Sequence, residues 1–152
     1  MAARSGTAGR GSRSKLERPV VGIDLGGTNI NVGVVSQDGT LVPGSRVNKK
    51  TQAILGVEAV INRIADAVRE SCELSKVDLK QCAGVGIGAP GAVDPTRGLV
   101  LKAVNIGFNN LPLAERLGRR LSHRVYVEND VNAAAYGEWK HGVDHRAAQG
   151  EY

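Results

Sequence analysis

The stretch Val20-Val21-Gly22-Ile23-Asp24-Leu25-Gly26-Gly27-Thr28-Asn29-Ile30-Asn31-Val32-Gly33-Val34-Val35 decides the fold. Val20 to Asp24 is a short β-branched run that ends in glycines, and Ile30 to Val35 is a second one. Such residues suit a pleated surface, so each run predicts a strand. The residues between them then form the tip of a hairpin. Gly26 and Gly27 let backbone N–H groups approach an anion without side-chain obstruction, and Thr28 and Asn29 add short polar donors. Asp24, at the end of its strand, suits a magnesium ion held through water, since magnesium prefers carboxylates and keeps part of its hydration shell. An ordinary Asp/Gly/Asn hairpin has the same composition, so spacing alone leaves both readings open.

Outward from this hairpin the pattern continues. Gln37-Asp38-Gly39-Thr40 has the chemistry of a turn, and Leu41 to Val47 supplies a third strand interrupted by Pro43 and Gly44. Ile54, Val57, Ile61, Ile64, Ala65 and Val68 recur at helical spacing, with Glu58, Arg63, Asp66, Arg69 and Glu70 on the other face. Ala83 to Ala89 reads as an apolar strand, and Pro90 to Gly98 as a loop. Pro112 opens a short helix through Arg120, and Val125 to Val127 is a strand. Asn129 or Asp130 caps a last helix that runs through Ala133, Ala134 and Ala135 toward Trp139. The order β-β-β-α-β-loop-α-β-α predicts an α/β fold, a mixed sheet with helices packed on it.

Two further motifs compete for a chemical role. Gly86-Ile87-Gly88-Ala89-Pro90-Gly91 matches the G-x-G-x-x-G pattern of dinucleotide sites. That motif must open a helix, which Pro90, Gly91 and Pro95 resist, and no acidic residue follows at the distance needed to hold a ribose. The run Val127-Glu128-Asn129-Asp130-Val131-Asn132 passes from a strand into a helix. Asp130 there is either a helix cap or a carboxylate able to take a proton from a substrate hydroxyl. Asn129 beside it offers both a donor and an acceptor, which suits vicinal hydroxyls.

Composition narrows the function further. At 152 residues the chain can bury one modest core. The net charge is +5, but Arg4, Arg10, Arg13, Lys15 and Arg18 against Glu17 place +4 of it in the first 18 residues. A nucleic-acid binder carries its charge on the folded domain, and with one Phe, one Trp and three Tyr there is little to stack on bases, so no nucleic-acid partner is expected. No apolar run reaches the roughly 18 residues needed to span a membrane. Cys72 and Cys82 fit two buried free thiols in a reducing compartment, and a cytoplasmic location follows.

Together these segments resemble the ROK family of sugar kinases and repressors, within the actin-like and hexokinase-like ATPases. The resemblance covers roughly Pro19 to Trp139. Val21 to Asn29 is similar to the first phosphate motif, Gly84 to Gly91 to the sugar-side loop, and Ala103 to Phe108 with Leu111-Pro112-Leu113 to the asparagine-bearing sugar segment. Val127 to Ala135 is similar to the segment with the catalytic aspartate, and Glu128-Asn129-Asp130 with Gly137-Glu138 looks most like the bacterial glucokinases.

The resemblance implies two ribonuclease-H-like lobes with the active site between them. It implies Asp130 as general base on the sugar 6-hydroxyl, and Asn129, Asn105 and the backbone at Gly91 as sugar contacts. Gly26, Gly27, Thr28 and Asn29 would contact ATP phosphates, and Asp24 would help position Mg2+. The expected organisation is a disordered basic tail over 1–18, the N-terminal lobe over 19–140 and an unassigned tail over 141–152. The second lobe, with its structural zinc, its sugar-side histidine and its adenosine-side glycines, is not in the sequence. The expected activity is phosphorylation of glucose by ATP, with the chain alone inactive and a homodimer open for a full-length protein. Alternatives are a kinase for N-acetylglucosamine, N-acetylmannosamine or fructose, a non-catalytic fragment, and a sugar-responsive regulator. The regulators carry a winged helix-turn-helix ahead of the core, for which 18 residues are too few.

Overall fold

The alternation of apolar and small or polar residues in the opening hairpin sets the first two strands, β1 (Val20–Leu25) and β2 (Asn29–Val35). They pair antiparallel from Val20↔Val35 to Leu25↔Ile30. Val21, Ile23 and Leu25 therefore share a buried face with Ile30, Val32 and Val34, while Gly22, Asp24 and Asn31 turn the other way. The computed structural model describes residues 18–129. Asp130, the expected last helix, the tail over 1–17 and residues 141–152 lie outside them. Arg18, the last residue of the expected tail, donates from its guanidinium to the carbonyls of Gln81 and Cys82.

The third strand differs from expectation. β3 is Val47–Lys50, paired antiparallel to β2, whereas Leu41 makes only an isolated bridge to Val35. Pro43 lacks an N–H for a ladder, and Gly44 turns the chain at φ +80°. Buried Ser45 fills the gap, its hydroxyl accepting from the Val34 N–H at 3.0 Å. The turn at Gln37–Thr40 forms as read: Gly39 has φ +90°, and the Asp38 carboxylate accepts from the Thr40 N–H at 3.0 Å.

The first helix, α1 (Val57–Ser75), buries Val60, Ile61, Ile64, Ala65, Ala67 and Val68 along one stripe. It does not include Ile54, which sits on a 3-10 turn (Ala53–Leu55) and is 94% exposed. Gly56, at φ +103°, breaks the backbone between that turn and the helix. The chain then crosses over to β4 (Gly84–Ala89), which lies parallel to β1.

Beyond β4 the expected loop Pro90–Gly98 contains a short strand, β5 (Ala92–Asp94). It joins β6 (Leu99–Ala103) and β7 (Phe108–Leu111) in a small antiparallel sheet that the sequence reading did not assign. The signal was weak because β5 has three residues and the β5–β6 register shifts between Ala92 and Val93. Pro112 caps α2 (Leu113–Leu121), and β8 (Val125–Asn129) returns parallel to β4. The main sheet has the order β3-β2-β1-β4-β8, in which only β2 runs against the rest. α1 packs on β2 and β3, α2 packs on α1 and β8, and both helices cover the face that carries the core.

Candidate active site at the carboxyl edge of the sheet

Three parallel strands, β1, β4 and β8, end at the same edge of the sheet. Their registers align Asp24 with Gly88, and Gly88 with Glu128. Asn129 stands one residue further along β8, beside Ala89. Two strand spacings, about 10 Å, separate β1 from β8. In open sheets ligands bind beyond the carboxyl ends of such strands.

At the end of β1 the chain reverses through Gly26, Gly27 and Thr28, closed by the Gly26 N–H donating to the Asn29 carbonyl at 2.9 Å. Thr51, fully buried just past β3, braces this turn. Its hydroxyl donates to the Gly26 carbonyl at 2.8 Å, and its backbone N–H donates to the Thr28 carbonyl at 2.8 Å. No acceptor among the described residues takes the N–H groups of Gly27 and Thr28. Gly27 and Thr28 are both exposed. Asp24 is exposed on the open face, in a groove of about 430 Å³ that it shares with Asn31, Gly33, Arg46 and Gly88.

Asn105 comes to this turn from the small sheet. It sits on a 3-10 turn (Val104–Ile106) between β6 and β7, anchored by buried Ile106. A Cβ at position 27 would stand 3.3 Å from the Asn105 Cβ, so Gly27 is what lets Asn105 come this close. Gly91 follows β4 at φ +83°, and a Cβ there would meet the Lys102 carbonyl oxygen at 2.1 Å. This backbone therefore lies flat on β6. The Gly91 carbonyl accepts from the Asn129 side-chain amide at 2.5 Å. Gly27 thus lies against Asn105 and Gly91 against Asn129, and Gly91 packs on Lys102 and Ala103, just before the turn that carries Asn105. Asp130, next after Asn129, lies outside the described residues.

Sequence reasoning missed Thr51, which belongs to no motif and follows two lysines with no pattern to mark it. It also missed the small sheet that carries Asn105 and receives Gly91.

Residues 20–149 match the ROK family. The chain belongs to the ROK family. Among its ROK relatives, the glucokinase of Thermotoga maritima is 38% identical over 120 residues, covering 78% of this chain and 36% of the relative. The crystal structure of the ROK family glucokinase from Streptomyces griseus, in complex with glucose and AMPPNP, superposes with a TM-score of 0.73 at 38% identity, covering 82% of this chain and 37% of that one. The xylose repressor of Caldicellulosiruptor bescii is 29% identical over 119 residues, covering 78% of this chain and 29% of the relative. The chain spans about a third of the length of these relatives. Its mixed sheet with helices on it is the N-terminal lobe of the ROK fold, ribonuclease-H-like as expected.

The remaining chemistry of the site is sparse. Among the described residues no three His, Cys, Asp or Glu side chains gather as metal ligands. Asp24, at the end of β1, is the exposed carboxylate beside the turn. Cys72 and Cys82 are free and buried. No described helix is long and apolar enough to cross a membrane.

Proposed function

We propose that this lobe carries the sugar-binding and first phosphate-binding half of an ATP-dependent glucokinase that phosphorylates the 6-hydroxyl of glucose. The observation that carries the reading is the shared edge of β1, β4 and β8. The turn after β1 and the Asn129 end of β8 lie at that edge, and Asn105 reaches the turn at Gly27, which supports a shared site.

Phosphoryl transfer asks for alignment, charge neutralisation and a base near the acceptor hydroxyl. Gly27 and Thr28 hold the ATP phosphates through their backbone N–H groups, with the Thr28 and Asn29 side chains beside them, while the Gly26 N–H closes the turn on the Asn29 carbonyl. Asp24 would hold a hydrated magnesium ion, which would neutralise charge on the phosphates. Asn129, Asn105 and the Gly91 backbone hold the sugar hydroxyls. Asn129 is oriented for this by its bond to the Gly91 carbonyl. Asp130 takes the proton of the 6-hydroxyl as that oxygen bonds to the γ-phosphorus and ADP leaves. The same donor set serves other hexoses, so glucose rests on the relatives. A lobe of this kind presents a base and one phosphate turn without enclosing ATP, so turnover belongs to a two-lobe enzyme, cytoplasmic and open to dimerisation. Structural zinc is assigned to the other lobe.

The test is Asp130→Asn in a two-lobe enzyme built on this chain. Turnover should fall by at least the roughly 10²–10⁴-fold typical of a general base, with glucose affinity retained. Unchanged turnover removes Asp130 from the mechanism. Glucose binding with no turnover even in the parent enzyme would favour a regulator.

A further inference from the structure

We infer that Thr51 is the positioning residue of the phosphate turn, because its hydroxyl locks the peptide plane between Gly26 and Gly27. This rests on the phosphate reading of the turn given above. The two glycines are needed for close approach of an anion, but they also make this peptide the easiest in the hairpin to flip. The described peptide bonds include no cis bond, and a planar trans peptide points its C=O and its N–H in opposite directions. A bond that holds the Gly26 carbonyl inward therefore holds the Gly27 N–H outward.

Thr51 supplies that bond from a fully buried site, at 2.8 Å. Its own backbone N–H fixes the Thr28 carbonyl at the other side of the turn, also at 2.8 Å. The brace is itself braced. Lys50, just before Thr51, pairs with Asn29 in the β2–β3 ladder, and its carbonyl accepts from the Arg63 guanidinium on α1 at 2.7 Å. The outward amide of Gly27 meets no acceptor among the described residues, so the hydroxyl is spent on orientation rather than on closing a network. Such preorganised donors cost no rearrangement when the anion arrives.

The experiment titrates the 152-residue chain with sodium tripolyphosphate and follows the Gly27 and Thr28 amides by NMR, for the natural chain, Thr51→Val and Thr51→Ser. Thr51→Val keeps the shape and the backbone N–H and removes only the hydroxyl. The natural chain should shift at Gly27. Thr51→Val should bind about tenfold more weakly, the factor that corresponds to roughly 1.4 kcal/mol, and Thr51→Ser should restore binding. Circular dichroism checks that both variants stay folded. If Thr51→Val unfolds, the serine variant decides, since it keeps the hydroxyl and must match the natural chain. Equal affinity and equal Gly27 shifts in the natural chain and folded Thr51→Val overturn the positioning role while the phosphate reading stands. Absence of any shift at Gly27 in the natural chain overturns both.

Discussion

At Gly91 a Cβ would stand 2.1 Å from the Lys102 carbonyl oxygen, on a backbone with φ +83°. Both clash and conformation oppose any side chain there. Gly91→Ala should cost at least about 2 kcal/mol, read as a lower urea midpoint. Gly86→Ala is the matched control, because nothing lies within 4 Å of a Cβ at position 86. Asp38 offers a different residue-scale test. Its carboxyl is held down to about 2 by hydrogen bonds from the Ser36 and Thr40 side chains and the Thr40 N–H. A depressed carboxylate supports the turn fully above its unfolded value of 3.8 and loses that support as pH falls toward 2. An NMR titration of the Asp38 carboxyl carbon should show its midpoint near 2, and a midpoint near 3.8 would refute the turn geometry.

Of the two α-helices, α2 has the narrower foothold. Leu113, Leu117 and Leu121, at four-residue spacing, are its buried side chains. Fully burying one leucine stabilises by about 1.5–3 kcal/mol. Leu117→Ala adds a cavity to that loss, so equilibrium unfolding should show about 2–5 kcal/mol less stability. The ion pairs from Arg116 and Arg120 to Glu58 join α2 to α1 at the surface, where Glu58 is exposed, and such pairs contribute little. The helix is therefore held by its leucines, and through β8 those leucines hold Asn129 in register. Gly56 plays the opposite part: by stopping α1 at Val57 it leaves the 3-10 turn at Ala53–Leu55 against the one that presents Asn105.

Across the whole molecule, what the sequence made legible is what local chemistry dictates. The β1–β2 hairpin, the α1 stripe from Val57 and the strand at Val125 follow from periodicity, and the glycines at 26 and 27 announce their turn. Ile54 misled because it keeps helical spacing, while the break at Gly56 depends on one backbone angle. The small sheet escaped notice because its strands are short and draw their order from packing against Gly91 and α2. Thr51 was invisible because its role exists only once β3 lies beside β2, 25 positions along the chain from Gly26. The same dependence on distant partners governs how the chain is made. β1 occupies the centre of the sheet, yet its parallel neighbour β4 begins roughly 60 residues after β1 ends. At about 5–20 residues per second the ribosome takes roughly 3–12 seconds to deliver it. Throughout that interval the nascent hairpin shows a bare, β-branched margin to its surroundings. Chaperone demand during synthesis, and losses to inclusion bodies on fast overexpression, should accordingly trace to that waiting strand.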